Sequence, residues 1–179
     1  VNCFALGVWI GGLFTHEALQ SIARKNQYAF NIISPGLSTE EIIKCIKELG
    51  SKYEQVILAG YPPYIKDVID EGVEKRIGWK NYNLGIVFSA EGFSEKFRDY
   101  VTKKAGIRDV YKGTLNHYGT VDLGTMSYET PLSVAIRREA TKNKGIYEKI
   151  FSHASKLPTL TQYFPELFYF EEINGGLVC

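Results

Sequence analysis

The sequence has no Cys-x-x-Cys pair: its three cysteines, Cys3, Cys45 and Cys179, are odd in number and far apart. That spacing argues against a zinc site and a disulfide framework, and it fits a reducing, cytoplasmic setting. Charge of one sign is not in excess either. Lys and Arg number 21 against 20 Asp and Glu, a formal net charge of +1, and no basic stripe extends beyond the pair Arg137-Arg138. Nucleic acid is thereby disfavoured as the main partner. The longest apolar run, Phe4 to Phe14, is too short to span a bilayer and has no basic residues ahead of it, so neither membrane insertion nor a signal peptide is expected. A Gly-x-Gly-x-x-Gly turn joining strand to helix is also missing, which disfavours a dehydrogenase. Low-complexity linkers and fixed-period repeats are absent from the sequence as well.

What is present is enough apolar residue, 45% of 179, to bury the core of one domain. Phe4 to Phe14 reads as a buried strand and loop, after which Thr15 caps a helix bearing Leu19, Ile22 and Ala23. Tyr28 to Ile33 alternates like a strand until Ser34-Pro35-Gly36 stops it. Three β-loop-α patterns are legible from there on. The first helix is capped by Ser38 or Thr39, carries Ile42, Ile43, Ile46 and Leu49 on one face, and ends at Gly50. Gln55 to Ala59 is then a strand, Gly60 to Pro63 a tight loop, and Tyr64 to Lys75 a helix with Ile65, Val68, Ile69 and Val73 inward. Leu84 to Phe88 is a strand, Ser89 to Gly92 a loop, and Phe93 to Ala105 a helix that Gly106 terminates. Val110 to Leu115 is the next strand, Gly124 to Thr130 a loop, Pro131 to Asn143 a helix, and Ile146 to Ser152 a shorter one. Thr159 to Tyr163 and Leu167 to Ile173 read as further strands.

The alternation predicts an α/β fold: a mainly parallel sheet flanked by helices on both faces, with the C-terminal strands starting a second antiparallel or mixed layer. Residues 1–158 form the α/β unit in this reading, and 159–179 begin a β-rich one. Val1 is not a methionine, and the chain stops just after Gly175-Gly176-Leu177-Val178, a turn leading into a strand. Both ends read as cut. A fragment is therefore expected, with apolar surface exposed and self-association as a homo-oligomer following from it.

Asn116-His117-Tyr118-Gly119-Thr120-Val121-Asp122 is the stretch richest in chemistry, placed by its context where a buried strand runs into a loop. Ligands of open α/β sheets bind at that edge. An aromatic ring can stack on a purine, a glycine lets backbone approach phosphates, and a hydroxyl with a carboxylate can meet Mg²⁺. The competing reading makes Gly119 a turn and Tyr118 core.

Tyr118-Gly119-Thr120-Val121-Asp122 resembles the Tyr-Gly-x-Thr-Glu motif of adenylate-forming enzymes, and Ser89-Ala90-Glu91-Gly92-Phe93-Ser94-Glu95 is similar to the turn that precedes it in phenylacetate–CoA ligase-like members. Ala59 to Tyr64, Ser127 to Leu132 and Gln162 to Glu172 look like the same branch, so the resemblance covers essentially the whole chain as a central piece of the large N-terminal domain. It implies ATP-dependent activation of a carboxylic acid, an aryl acid such as phenylacetate being favoured, to an acyl-adenylate, and transfer to coenzyme A. By the same resemblance Asp122 and Thr120 are catalytic, with Asp122 meeting Mg²⁺ through ATP. Tyr118, Gly119, Ala90, Glu91 and Gly92 hold the nucleotide, and Trp9, Gly11 and Gly12 border the acyl pocket. The departures are Val121 in place of Thr, Asp122 in place of Glu, and no Ser/Thr/Gly-rich phosphate loop, ribose-binding Asp or C-terminal catalytic Lys within these residues. The isolated 179 residues are therefore not expected to adenylate.

Each assignment has a plainer counterpart. Glu91 could cap the helix after it, Trp9 could be core, His16 and His153 fit surface or helix-end positions, and His117 fits packing. Arg137-Arg138 reads as a solvated face unless it meets coenzyme A phosphates or a partner domain, and Cys3 reads as a buried thiol. For the whole chain the alternative is a non-catalytic nucleotide-binding or structural α/β module.

Overall fold

Ser38 opens the first well-formed helix as its sequence predicts: its hydroxyl accepts from the Glu41 N–H, and α2 (Thr39–Leu49) buries Ile42, Ile43 and Ile46. The computed structural model describes every residue except Val121 and His153, together with the side chain of Leu177. The readings of Val121 at the motif's Thr position and of His153 as a surface or helix-end residue lie outside the described residues. Two strand–helix units follow α2: β1 (Val56–Gly60) with α3 (Pro62–Glu74), then β2 (Leu84–Phe88) with α4 (Glu95–Ala105). Gly106 ends α4 at φ 70°, a left-handed conformation that glycine adopts without steric cost.

β3 (Thr114–Thr120) continues the parallel set, and β4 (Gly124–Tyr128) and β5 (Gln162–Tyr163) extend it antiparallel, giving a five-stranded mixed sheet in the order β1-β2-β3-β4-β5. α5 (Pro131–Lys142) and α6 (Lys144–Phe151) lie between β4 and β5 in sequence, and β6 (Glu171–Ile173) with β7 (Gly176–Val178) forms a separate two-stranded ribbon. The fold is thus the α/β class expected, a mostly parallel sheet flanked by helices.

Alternation along the strands decides which side each helix covers. Val56, Leu58, Leu84, Ile86, Phe88 and Thr114 point to one face and are buried there. α2 packs on α3, α3 on α4, and α4 on α5 along that face, with Ile65, Val68, Ile69 and Val101 supplied to the core. The other side carries α1 (Ile10–Arg24) near the C-terminal ends of the strands.

Four local expectations are corrected. Ile10 to Phe14 is the first turn of α1 rather than strand and loop, so the helix starts before Thr15, whose hydroxyl instead donates to the Gly11 carbonyl. A continuous apolar run does not distinguish strand from helix by itself. Tyr28 to Ile33 forms no strand; residues 1–3 take the sheet edge beside β1, where Cys3 N donates to Ala59 O and Ala59 N to Val1 O, and Asn2 N donates to the Ile33 carbonyl. The third parallel strand begins at Thr114, because Asp109 to Gly113 closes into a turn in which Asp109 Oδ1 accepts from the N–H groups of Tyr111 and Lys112. Gly124 to Tyr128 is strand, not loop: its Thr and Ser side chains look loop-like, but its backbone pairs with both β3 and β5.

Candidate functional site

β3 runs past its parallel partner and forms a hairpin with β4, so Tyr118, Gly119 and Thr120 lie on an exposed strand end rather than in a loop. The register shifts between Tyr118 and Gly119, and a Cβ on Gly119 would run into the Gly124 carbonyl of β4. Close approach of two backbones accounts for this glycine. Tyr118, next to the bulge, is 55% exposed. Thr120 Oγ1 accepts from the Leu123 N–H, and Asp122 is exposed in the turn that follows.

Ser89 to Gly92, the turn after β2, stands beside this hairpin. Ala90 sits at φ 75°, a left-handed conformation costly for a residue with a Cβ, so the surroundings must hold it. They do so through three contacts. Ser89 N donates to Gly60 O after β1, Asn116 Nδ2 donates to Glu91 O (3.1 Å), and Arg137 Nη2 donates to Phe93 O (2.7 Å). The Glu91 carboxylate, beside the exposed Tyr61 phenol, holds it above its ordinary pKa. Glu91 therefore faces the β1–α3 loop and makes no cap on α4, which Ser94 caps through the Phe97 N–H.

Between α1 and the sheet end lies an open cleft of about 180 Å³. Ile10, Gly11 and Phe14 of α1 form one wall; Ser89 and Ala90 meet it from β2, and His117, Gly119 and Thr120 from β3. His117 Nδ1 lies 3.4 Å from Ser89 Oγ and 3.2 Å from Thr125 Oγ1, and burial pushes the imidazolium below its ordinary pKa. Typical pockets for drug-sized ligands are roughly 300–1,000 Å³. The cleft is smaller than that.

Four of the residues singled out in the sequence, Gly11, Ala90, Gly119 and Thr120, thus line one cleft. Tyr118, Glu91, Gly92 and Asp122 are exposed around it. Trp9 and Gly12 do not line it: Trp9 precedes α1 and is 69% exposed, while Gly12 is buried against Ala5 and Leu6. Among the described residues no three His, Cys, Asp or Glu side chains converge on a metal position.

Sequence reading missed the buried ion network behind the turn. Arg137, read as half of a solvated pair, is fully buried, as are Arg98 and Glu129. Glu129 accepts from Arg98 Nη2 at both oxygens (2.7 and 2.8 Å), from Arg137 Nη1 (2.8 Å) and from the Asn116 N–H (2.9 Å). Glu95 Oε2 accepts from Arg98 Nε at 3.0 Å. Its Oε1 lies 2.9 Å from Arg137 Nη1, too far off the N–H direction to complete a hydrogen bond. Arg138 keeps a more exposed position against Asp99. The only signal in the sequence was Arg137 at helical spacing from Val134, on the face of α5 that is buried.

No family model matches the chain, and no curated protein matches it in sequence. Among solved structures, it is similar to an open conformation of 2-hydroxyisobutyryl-CoA ligase in complex with 2-HIB-AMP and CoA, at 15% identity and a TM-score of 0.52 over 73% of this chain. The match spans 27% of that ligase's chain. Over the matched residues the chain resembles part of that ligase in fold.

Proposed function

We propose that the chain is part of an adenylate-forming acid–thiol ligase of the phenylacetate–CoA ligase-like kind. It would activate an aryl acid such as phenylacetate with ATP to an acyl-adenylate, with coenzyme A as acceptor. The observation that carries the reading is the cleft, which brings Gly11, Ala90, Gly119 and Thr120 to the C-terminal ends of β2 and β3. That the fold is shared with a ligase solved with an acyl-AMP and CoA supports it.

The residues present fit a nucleotide. Tyr118 offers an exposed ring for stacking, with the Glu91–Gly92 backbone beside it. Among the described residues no donor reaches the buried Asn116 Oδ1, a defect costing about 1–3 kcal/mol that an amino group on the base would relieve. In this reading Thr120 and Asp122 face the phosphates. Mg²⁺ would come with those phosphates, Asp122 adding one carboxylate, and would neutralise charge there. The acid would lie against the apolar side chains of Ile10 and Phe14, both half exposed in this structure. The unit boundary near residue 158, a homo-oligomer formed through exposed apolar surface, a cytoplasmic location and the inactivity of these 179 residues alone belong to the same proposal. Among the described residues no helix is long and apolar enough to cross a membrane.

Titration of the chain with ATP by calorimetry tests the nucleotide half. Stacking on Tyr118 is worth about 1–3 kcal/mol, so Tyr118→Ala should weaken binding by roughly 5- to 150-fold. Equal affinity in the two proteins would remove Tyr118 from the site. A non-catalytic nucleotide-binding module is the second reading; Val121 in place of the motif's Thr favours it.

A further inference from the structure

The buried ion network has no part in the chemistry proposed above, yet its hydrogen bonds end on the turn that the nucleotide would meet. Asn116 is fixed at both backbone groups by one residue: its N–H donates to Glu129 Oε2 (2.9 Å), and its carbonyl accepts from the Glu129 N–H (2.7 Å). With its backbone held, the side chain donates to Glu91 O. On the far side of the turn, Arg137 divides its guanidinium among Glu129 Oε1, Phe93 O and Pro158 O. Arg98 completes the cage by donating to both Glu129 oxygens and to Thr114 of β3. The Phe93 ring lies 4.9 Å from the Arg98 guanidinium carbon and 6.0 Å from that of Arg137. Ala90, in its left-handed conformation, directly precedes the segment so clamped. Both Glu129 oxygens are satisfied out of reach of water, where hydrogen bonds are electrostatically strong, and strained backbone persists only where its surroundings over-determine it.

We propose that Glu129 is a positioning residue: through Asn116 and Arg137 its carboxylate sets the Ala90–Phe93 backbone in the shape that receives the nucleotide base. The inference rests on the ligase reading for the identity of the ligand. The clamp itself rests on the hydrogen bonds alone. A turn held in one conformation avoids the loss of affinity that follows when only a fraction of molecules is competent to bind.

Arg137→Lys separates clamp from charge, because a lysine can neutralise Glu129 but cannot also reach Phe93 O and Pro158 O. Glu129→Gln keeps the shape and removes the charge. Amide order parameters are measured by NMR on the chain and on both variants, with ATP affinity measured in parallel. In the unaltered chain the amides of 90–93 should match those of β1 and β2, near about 0.85. In a folded variant they should fall below about 0.6 while β1 and β2 hold, and ATP should bind about tenfold more weakly. Loosening of β1 and β2 together with the turn would show a purely structural role and overturn the proposal. So would a turn already below about 0.6 in the unaltered chain, a result that needs no variant. A rigid turn that loosens selectively in a chain binding no ATP would instead overturn the nucleotide reading, and with it the ligand assigned to the turn.

Discussion

Replacing Arg137 with methionine removes one of two buried cations that balance the carboxylates of Glu95 and Glu129. Three hydrogen bonds go with it, those to Glu129, Phe93 O and Pro158 O. Glu129 keeps Arg98 and the Asn116 N–H, so its charge is left only partly compensated. Removing one partner from a buried pair costs about 3–5 kcal/mol, most of it desolvation of what remains. Against a urea slope of about 2 kcal/mol per molar for a chain of this size, the unfolding midpoint should fall by roughly 1.5–2.5 M. Adding Glu129→Gln to Arg137→Met leaves Arg98 facing Glu95, and the double variant should be less destabilised than the sum of the two single changes. Circular dichroism across a urea titration of the four proteins measures both quantities. A midpoint shift under about 0.5 M for Arg137→Met would refute the network as a stabilising unit, and strict additivity would refute the coupling.

Three further outcomes follow from single residues. Gly119→Val places a side chain on the Gly124 carbonyl and should cost about 1–3 kcal/mol, lowering Tm by roughly 2–12 °C; an unchanged Tm would disprove the close approach. Burial pushes the Cys3 thiol up to about 12 from 9.0, so folded protein at pH 8 should react with a thiol reagent at exposed Cys179 and not at Cys3. The raised value means that the folded state keeps a proton the unfolded state loses, and stability should decline as pH rises from 9 toward 12. His117 has the opposite linkage: its folded pKa is lowered by burial, so stability should fall as pH drops below 6.5, and His117→Gln should flatten that slope in urea titrations at pH 7.5 and pH 5.5.

Elements that announce themselves locally were legible in the sequence. β2 is a continuous apolar run between Asn83 and Ser89, α2 has its Ser38 cap, and α4 stops at Gly106, so strand–helix alternation and fold class followed. Elements set by distant partners were not. β4 is polar and is a strand because β3 and β5 flank it; α1 is an apolar run whose buried residue is a glycine. Arg137 looked solvated because a charge normally is, and its partners Glu129 and Glu95 come from the residue after β4 and from α4. In the site, the resemblance put Trp9, Gly11 and Gly12 at the acyl pocket, Ala90 and Gly119 on the nucleotide and Thr120 in the chemistry; Gly11, Ala90, Gly119 and Thr120 line one cleft, while Trp9 is in solvent before α1 and Gly12 is buried against Ala5 and Leu6.

The central claim is that this fold takes part in adenylation, and the direct measurement is ATP–pyrophosphate exchange across a panel of aryl and alkyl carboxylic acids. It is made on the longest natural chain containing these residues, with Asp122→Ala beside it. Exchange that depends on one class of acid and collapses in Asp122→Ala is the predicted result. A folded protein that binds ATP and exchanges with none of the acids would contradict the ligase reading and leave the nucleotide-binding module.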